Sequence, residues 1–233
     1  MISKRMLAAL IVGGIPWWVL SAGAVPAPES TRGPFGFIRL VDAVSIGTGK
    51  LECLINGQAV RPEGYQLGNV TGGIALQPAA YRLAFHRQGI KSGETQVLVA
   101  ANDTTILIPF AEQVPATATE PARWEIRILK LKQHQEEDHR TATLVSVSHQ
   151  PELQLEIRQA DGKWQRVFVK RLGIARAAIK QTRGYLAVRC GPRKLSAVSV
   201  GPAGNFVTVL YDDENGLLRS TNFQDYKYLS PEG

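Results

Sequence analysis

Leu51-Glu52-Cys53-Leu54-Ile55 runs straight into Asn56-Gly57. Five residues rich in apolar side chains, cut off by Asn-Gly, mark a β-strand entering a two-residue hairpin turn, because Asn and Gly both tolerate the positive φ that such a turn requires. Working outward, the flanks are of the same kind. Phe37-Ile38-Arg39-Leu40-Val41 precedes it, and short apolar runs follow at residues 65–67, 73–76, 80–86, 94–100 and 104–110, with a further turn signal at Asn102-Asp103. Trp124-Glu125-Ile126-Arg127-Ile128-Leu129-Lys130 then alternates apolar and charged side chains, the period of a half-buried strand. No stretch sustains the 3.6-residue apolar period of a helix.

The same order of pieces returns about 102–105 residues later. Ile38-Arg39-Leu40-Val41 is answered by Ala142-Thr143-Leu144-Val145, and Leu51 to Ile55 by Leu153-Gln154-Leu155-Glu156-Ile157. Leu67-Gly68 through Ile74 aligns with Leu172-Gly173 through Ile179, Tyr81-Arg82-Leu83-Ala84 with Tyr185-Leu186-Ala187-Val188, and residues 104–108 with 206–210. A period this long indicates duplicated domains rather than solenoid units. Short strands with turn signals every 8–12 residues suit an all-β fold of two tandem immunoglobulin-like β-sandwich domains, at residues 37–132 and 141–229, joined by a polar connector at 133–140. Each sheet is expected to bury one face and solvate the other.

The N-terminus has a different character. Lys4 and Arg5 precede an apolar run from Met6 that continues through Leu20, and Ala22-Gly23-Ala24 has the small-x-small pattern of a signal-peptidase site. Residues 1–24 are expected to be a signal peptide and 25–36 a linker; an uncleaved anchor is the other reading. Cleavage takes two positive charges from the formal +7. No later segment is apolar and long enough to span a bilayer as a helix. In an oxidising compartment Cys53 and Cys190 would either join the two halves by a disulfide or remain separately buried thiols.

Arg39-Leu40-Val41, Ile55-Asn56-Gly57, Tyr65-x-x-Gly68 and Leu76-Gln77-Pro78-Ala79-Ala80-Tyr81 follow one another in the order found in a bacterial family of exported β-sandwich domains that often occur in tandem. The chain resembles that family over residues 37–110, and more loosely in its second half. The resemblance implies export and a sandwich fold, and the family, being of unknown function, supplies no activity.

Catalysis is not expected. No G-x-S-x-G elbow, P-loop, H-E-x-x-H or C-x-x-C occurs, and no cofactor is implied. His134, Glu136, Glu137, Asp138 and His139 crowd within six positions, but a solvated turn needs such polarity and offers no surrounding groups to hold metal ligands in place. His86 and His149 read as structural. Asn69-Val70-Thr71 and Asn102-Asp103-Thr104 match a glycosylation pattern too short to weigh.

Charge is the informative feature. Between residues 25 and 115 basic and acidic side chains balance at seven each, so the net positive charge lies further on. Residues 162–211 hold no Asp or Glu, yet carry Lys163, Arg166, Lys170, Arg171, Arg176, Lys180, Arg183, Arg189, Arg193 and Lys194, with Trp164, Phe168 and Tyr185 among them. Such a segment raises a positive potential, fit either to dock an anionic partner or to keep exposed strands from pairing edge to edge. The expected function is an exported, non-catalytic binding or adhesion-type module of the cell envelope, periplasmic or at the cell surface, with an anionic polymer or an envelope protein as partner and no physiological nucleic acid. The alternative is a structural or accessory subunit of a larger envelope assembly, docking through a broad apolar patch or an open edge strand near residues 124–132.

Overall fold

The computed structural model describes residues 34–134, 140–181, 183–201, 204–225 and 228–231. The expected signal, most of the linker and most of the polar connector lie outside them. Among the described residues every regular element is a strand, and no helix is long and apolar enough to cross a membrane.

The first half contributes β1 (Gly36–Leu40), β2 (Thr48–Ile55), β3 (Gln58–Ala59), β4 (Ile74–Leu76), β5 (Ala79–Gln88), β6 (Gly93–Val99), β7 (Thr104–Val114) and β8 (Arg123–His134). The second half begins with β9 (Thr141–Ser146), β10 (Glu152–Arg158), β11 (Trp164–Lys170), β12 (Ile174–Ala178), β13 (Gly184–Leu186) and β14 (Val188–Cys190). It ends with β15 (Arg193–Lys194), β16 (Val198–Val200), β17 (Asn205–Asp212), β18 (Leu218–Asp225) and β19 (Tyr228–Pro231). In the first half the sheets run β4-β1-β7-β8 and β3-β2-β5-β6, and in the second β12-β9-β17-β18 and β11-β10-β14-β15, with β13-β16 as a separate pair. β19 crosses back to extend the first half's sheet beyond β8, pairing Tyr228 with His134 and Pro231 with Leu131.

Alternation drives the layering. Leu51 and Cys53 of β2 and Val97 and Val99 of β6 point inward to meet Ile38, Leu40 and Leu107 from the facing sheet. Leu153, Leu155 and Ile157 of β10 meet Leu144, Phe206 and Leu210 in the same way. A third core joins the halves: Val41, Ala43, Ile106, Ile108 and Phe110 pack against Val145, Val147, Val207, Val209 and Tyr211. The molecule is therefore four sheets deep, and the expectation of one solvated face per sheet fails for the middle two. β9 and β17 are buried at every position. Strands covered on both sides lose their polar alternation, as Ile106-Leu107-Ile108 already shows in the sequence.

The pairing pattern of one half recurs in the other. β1 lies parallel to β7 and antiparallel to β4, as β9 does to β17 and β12. The correspondence reaches single hydrogen bonds. Gly68 N donates to Asp42 O at 2.8 Å and Asp42 N to Asn69 O at 3.0 Å. At an offset of 104 (42 to 146, 68 to 172), Leu172 N donates to Ser146 O at 2.7 Å and Ser146 N to Gly173 O at 3.3 Å. The backbone thus equates Gly68 with Leu172 and Leu67 with Arg171, one position away from the match of Leu67-Gly68 to Leu172-Gly173 read from the letters. Gly68 and Leu172 share a positive φ, +84° and +55°.

The third core obeys the same equivalence. Its two contributions correspond pair by pair, Val41 with Val145, Ala43 with Val147, Ile106 with Val207, Ile108 with Val209 and Phe110 with Tyr211. The same patch from each repeat meets its counterpart, the self-complementary geometry of a twofold interface. Polar ties reinforce it. Arg39 donates through Nη1 to Gln224 O at 2.9 Å and lies 4.7 Å over the Phe223 ring, Thr221 Oγ1 donates to Gly68 O at 2.9 Å, and Arg171 pairs with Glu112.

Candidate binding face on an outer sheet

The sheet β11-β10-β14-β15 has its inner face filled by apolar side chains, so strand alternation sends the intervening residues to solvent. On β11 these are Trp164, Arg166, Phe168 and Lys170. Register then sets their neighbours: Trp164 lies opposite Arg158, Phe168 opposite Gln154, Arg166 opposite Glu156 and Lys170 opposite Glu152. Glu156 also lies opposite Arg189 of β14, and Arg189 opposite Lys194 of β15. A row Arg166, Glu156, Arg189, Lys194 therefore crosses all four strands.

One carboxylate sits among three cations in that row. Arg189 donates through Nε to Glu156 Oε2 at 2.7 Å, and its guanidinium stacks 4.1 Å from the Trp164 ring centroid. The ion pair and the stack hold the Trp164 ring and the Arg189 fork in one arrangement. Phe168 is 52% exposed and Tyr185 75%, unusual exposures for rings with no structural need of water. Tyr185 keeps the outward parity of Ala187 and Arg189 on the run from β13 into β14.

Of the ten basic residues singled out in the sequence, this face gathers Arg166, Lys170, Arg189 and Lys194. Lys163 stands at the adjoining turn, its N–H donated to Asp161 Oδ1 at 3.1 Å. Arg176 belongs to β12, in a different sheet. Lys180 and Arg183 are exposed between β12 and β13. Arg193 is half-buried and donates to Leu218 O at 3.2 Å, and Arg171 is committed to the junction of the halves, donating through Nε to Ser148 O at 3.1 Å. Neither of these two is on the face. Arg158 is, although the acid-free stretch begins after it; its signal is the outward parity of β10.

Ser148, His149 and Asp212 cluster, but Ser148 Oγ donates to the Asp212 carboxylate, at 2.9 and 3.0 Å, rather than to the imidazole. His149 bonds the same carboxylate through its backbone N–H at 2.7 Å and Nδ1 at 2.9 Å, and meets Trp124 edge-on at 5.3 Å. The Ser-His-Asp arrangement, in which the imidazole accepts from the serine, is therefore not formed. Cys53 and Cys190 are free thiols in this structure, set in separate cores. Burial pushes the Cys53 thiol up to about 12, far from a reactive thiolate. Among the described residues no three metal-ligating side chains converge, and residues 135–139 of the His-rich turn lie outside them. No protein-family model and no curated protein matches the chain.

Proposed function

We propose that the chain is an exported, non-catalytic binding module of the cell envelope, built of two tandem immunoglobulin-like β-sandwich domains, and that the outer face of β11-β10-β14-β15 docks an acidic polysaccharide. The observation that carries this is the alternation Trp164, Arg166, Phe168, Lys170 on one strand beside Arg189 and Lys194. Guanidinium and ammonium groups pair with carboxylate or sulfate, while exposed rings offer broad apolar contact to a sugar ring at small conformational cost. The recurrence of hydrogen bonds at an offset of 104 supports the tandem reading, and the N-terminal charge and hydropathy pattern supports export.

The alternative role as a structural or accessory subunit needs a broad apolar patch or an open edge near residues 124–132. Part of that edge carries β19, and the Lys91 backbone bonds to Trp124 O and Ile126 N at 3.0 and 2.9 Å, which leaves residues 127–130 of it for a partner strand. The test is retention of residues 25–233 on an immobilised sulfated polysaccharide. Retention at low salt, release at high salt, and loss of retention in R166E/K170E are expected. Retention that ignores salt, or survives the double reversal, overturns the proposal.

A further inference from the structure

The quasi-twofold packing of the halves creates two equivalent points, one at each end of the third core, and they are built differently. At the first, the turn at Gly68 meets Tyr211 of the other half. The Tyr211 hydroxyl fills the space a side chain on Gly68 would need, and Thr221 donates to Gly68 O at 2.9 Å. This end is closed.

At the second, Leu172 takes the place of Gly68, Phe110 that of Tyr211, and Leu129 that of Thr221, since Ile108 pairs with Leu129 as Val209 pairs with Thr221. The hydroxyls that close the first end are missing here, and a cleft of about 420 Å³ opens between the halves. Its apolar wall is formed by Phe110, Leu129 and Leu172, and its rim by Arg127, Arg171 and Glu112. Leu172 holds φ +55°, a conformation that costs a side-chain-bearing residue about 1 kcal/mol, and keeps its side chain 37% exposed at the cleft. Strain that displays an apolar side chain at a concave surface is a mark of a binding position.

We propose that this cleft binds a small amphiphilic carboxylate, its apolar body against Phe110, Leu129 and Leu172 and its carboxylate at Arg127 and Arg171. At the rim Arg171 is paired with Glu112, and Arg127 shares Glu125 with Lys91 and Arg123, so positive charge is in excess and favours an anionic head. Arg171 uses Nε for Ser148 O and Nη2 for Glu112, and Nη1 has no partner among the described residues. Arg127 is 60% exposed and engages Glu125 through Nη2 alone. The volume is that of a small-ligand site. The cleft is separate from the polysaccharide face and does not depend on it.

The test is a methyl NMR titration of the full-length protein with decanoate and, separately, decanol. Decanoate is expected to shift the Leu129 and Leu172 methyl signals saturably, and decanol to bind about tenfold more weakly, a loss of about 1.4 kcal/mol. F110Y/L172G rebuilds at this end the closed arrangement found at the other, and should abolish the decanoate shift at Leu129. Arg127→Gln, on the exposed rim, should lower decanoate affinity toward that of decanol and leave decanol unchanged. Absence of saturable shifts at millimolar decanoate, equal affinity for the two probes, or undiminished binding in a folded F110Y/L172G or Arg127→Gln variant overturns the proposal.

Discussion

Asp42 is fully buried where the two halves meet. Its Oδ1 accepts from Val44 N at 2.9 Å, while Oδ2 finds no partner. Burial raises the carboxyl from 3.8 to about 7, against the weaker opposing effects of the Val44 N–H and the Arg87 guanidinium. A carboxyl whose folded pKa lies above its unfolded value binds its proton more tightly in the folded state. Both states are protonated below about pH 4, so no penalty exists there. As pH climbs from 4 through 7 the unfolded chain ionises first and stability falls, by an amount on the order of 4 kcal/mol once both states are ionised. Asp42→Asn keeps the Val44 acceptor and removes the titration. Urea midpoints at pH 5 and pH 8 are expected to differ much less in Asp42→Asn than in the wild type, with the variant more stable at pH 8. An unchanged difference would mean that folding does not shift the titration of Asp42.

At the scale of the elements, the two turns that follow β3 and β11 share one backbone path but not one residue type. Gly68 needs to be glycine twice over, for its φ of +84° and for the Tyr211 hydroxyl beside it. Gly68→Ala should therefore cost roughly 3 kcal/mol, about 1 from the left-handed backbone and about 2 from crowding. Tyr211→Phe in the same chain should recover the crowding part and leave the backbone part; urea unfolding of the single and double variants measures both. If Tyr211→Phe recovers nothing, the hydroxyl is not what Gly68 accommodates. These turns also mark how far the sequence could be read. The strands were legible because alternation and Asn-Gly turns act locally, and the repeat because five apolar pieces keep their order. The match of Leu67-Gly68 to Leu172-Gly173 missed by one because identical letters outweighed a φ that no letter records. The binding face was half legible. Parity alone sets Trp164, Arg166, Phe168 and Lys170 outward together, whereas bringing Arg158 and Arg189 beside them required cross-strand register, which depends on residues far away in the chain. Arg171 lies off that face for the same reason, since its partner Glu112 is in the other half.

The whole molecule holds together through three cores with separate memberships. Each half has its own, and the third, between them, contains no residue of the other two. That division makes the coupling of the halves testable without dismantling either one. Ile108 is fully buried in the third core, at the middle of β7, while its neighbour Leu107 points the other way into the core of the first half. An aspartate at position 108 meets the apolar side chains of the facing sheet with no partner for its charge, a penalty of several kcal/mol that falls on the junction. The cores built on Leu51, Leu83 and Phe85 and on Leu153, Leu155 and Phe206 keep their contacts. The wild type should unfold in urea in one transition, because the third core, with β19 paired to β8, links the stability of the halves. Ile108→Asp should unfold in two, with hydrogen exchange at β7 and β17 accelerated ahead of exchange at β2 and β10. Loss of all strand signal at a single lower midpoint would instead mean that neither half survives without the other, and that the third core is a condition of folding rather than a contact between two folded units.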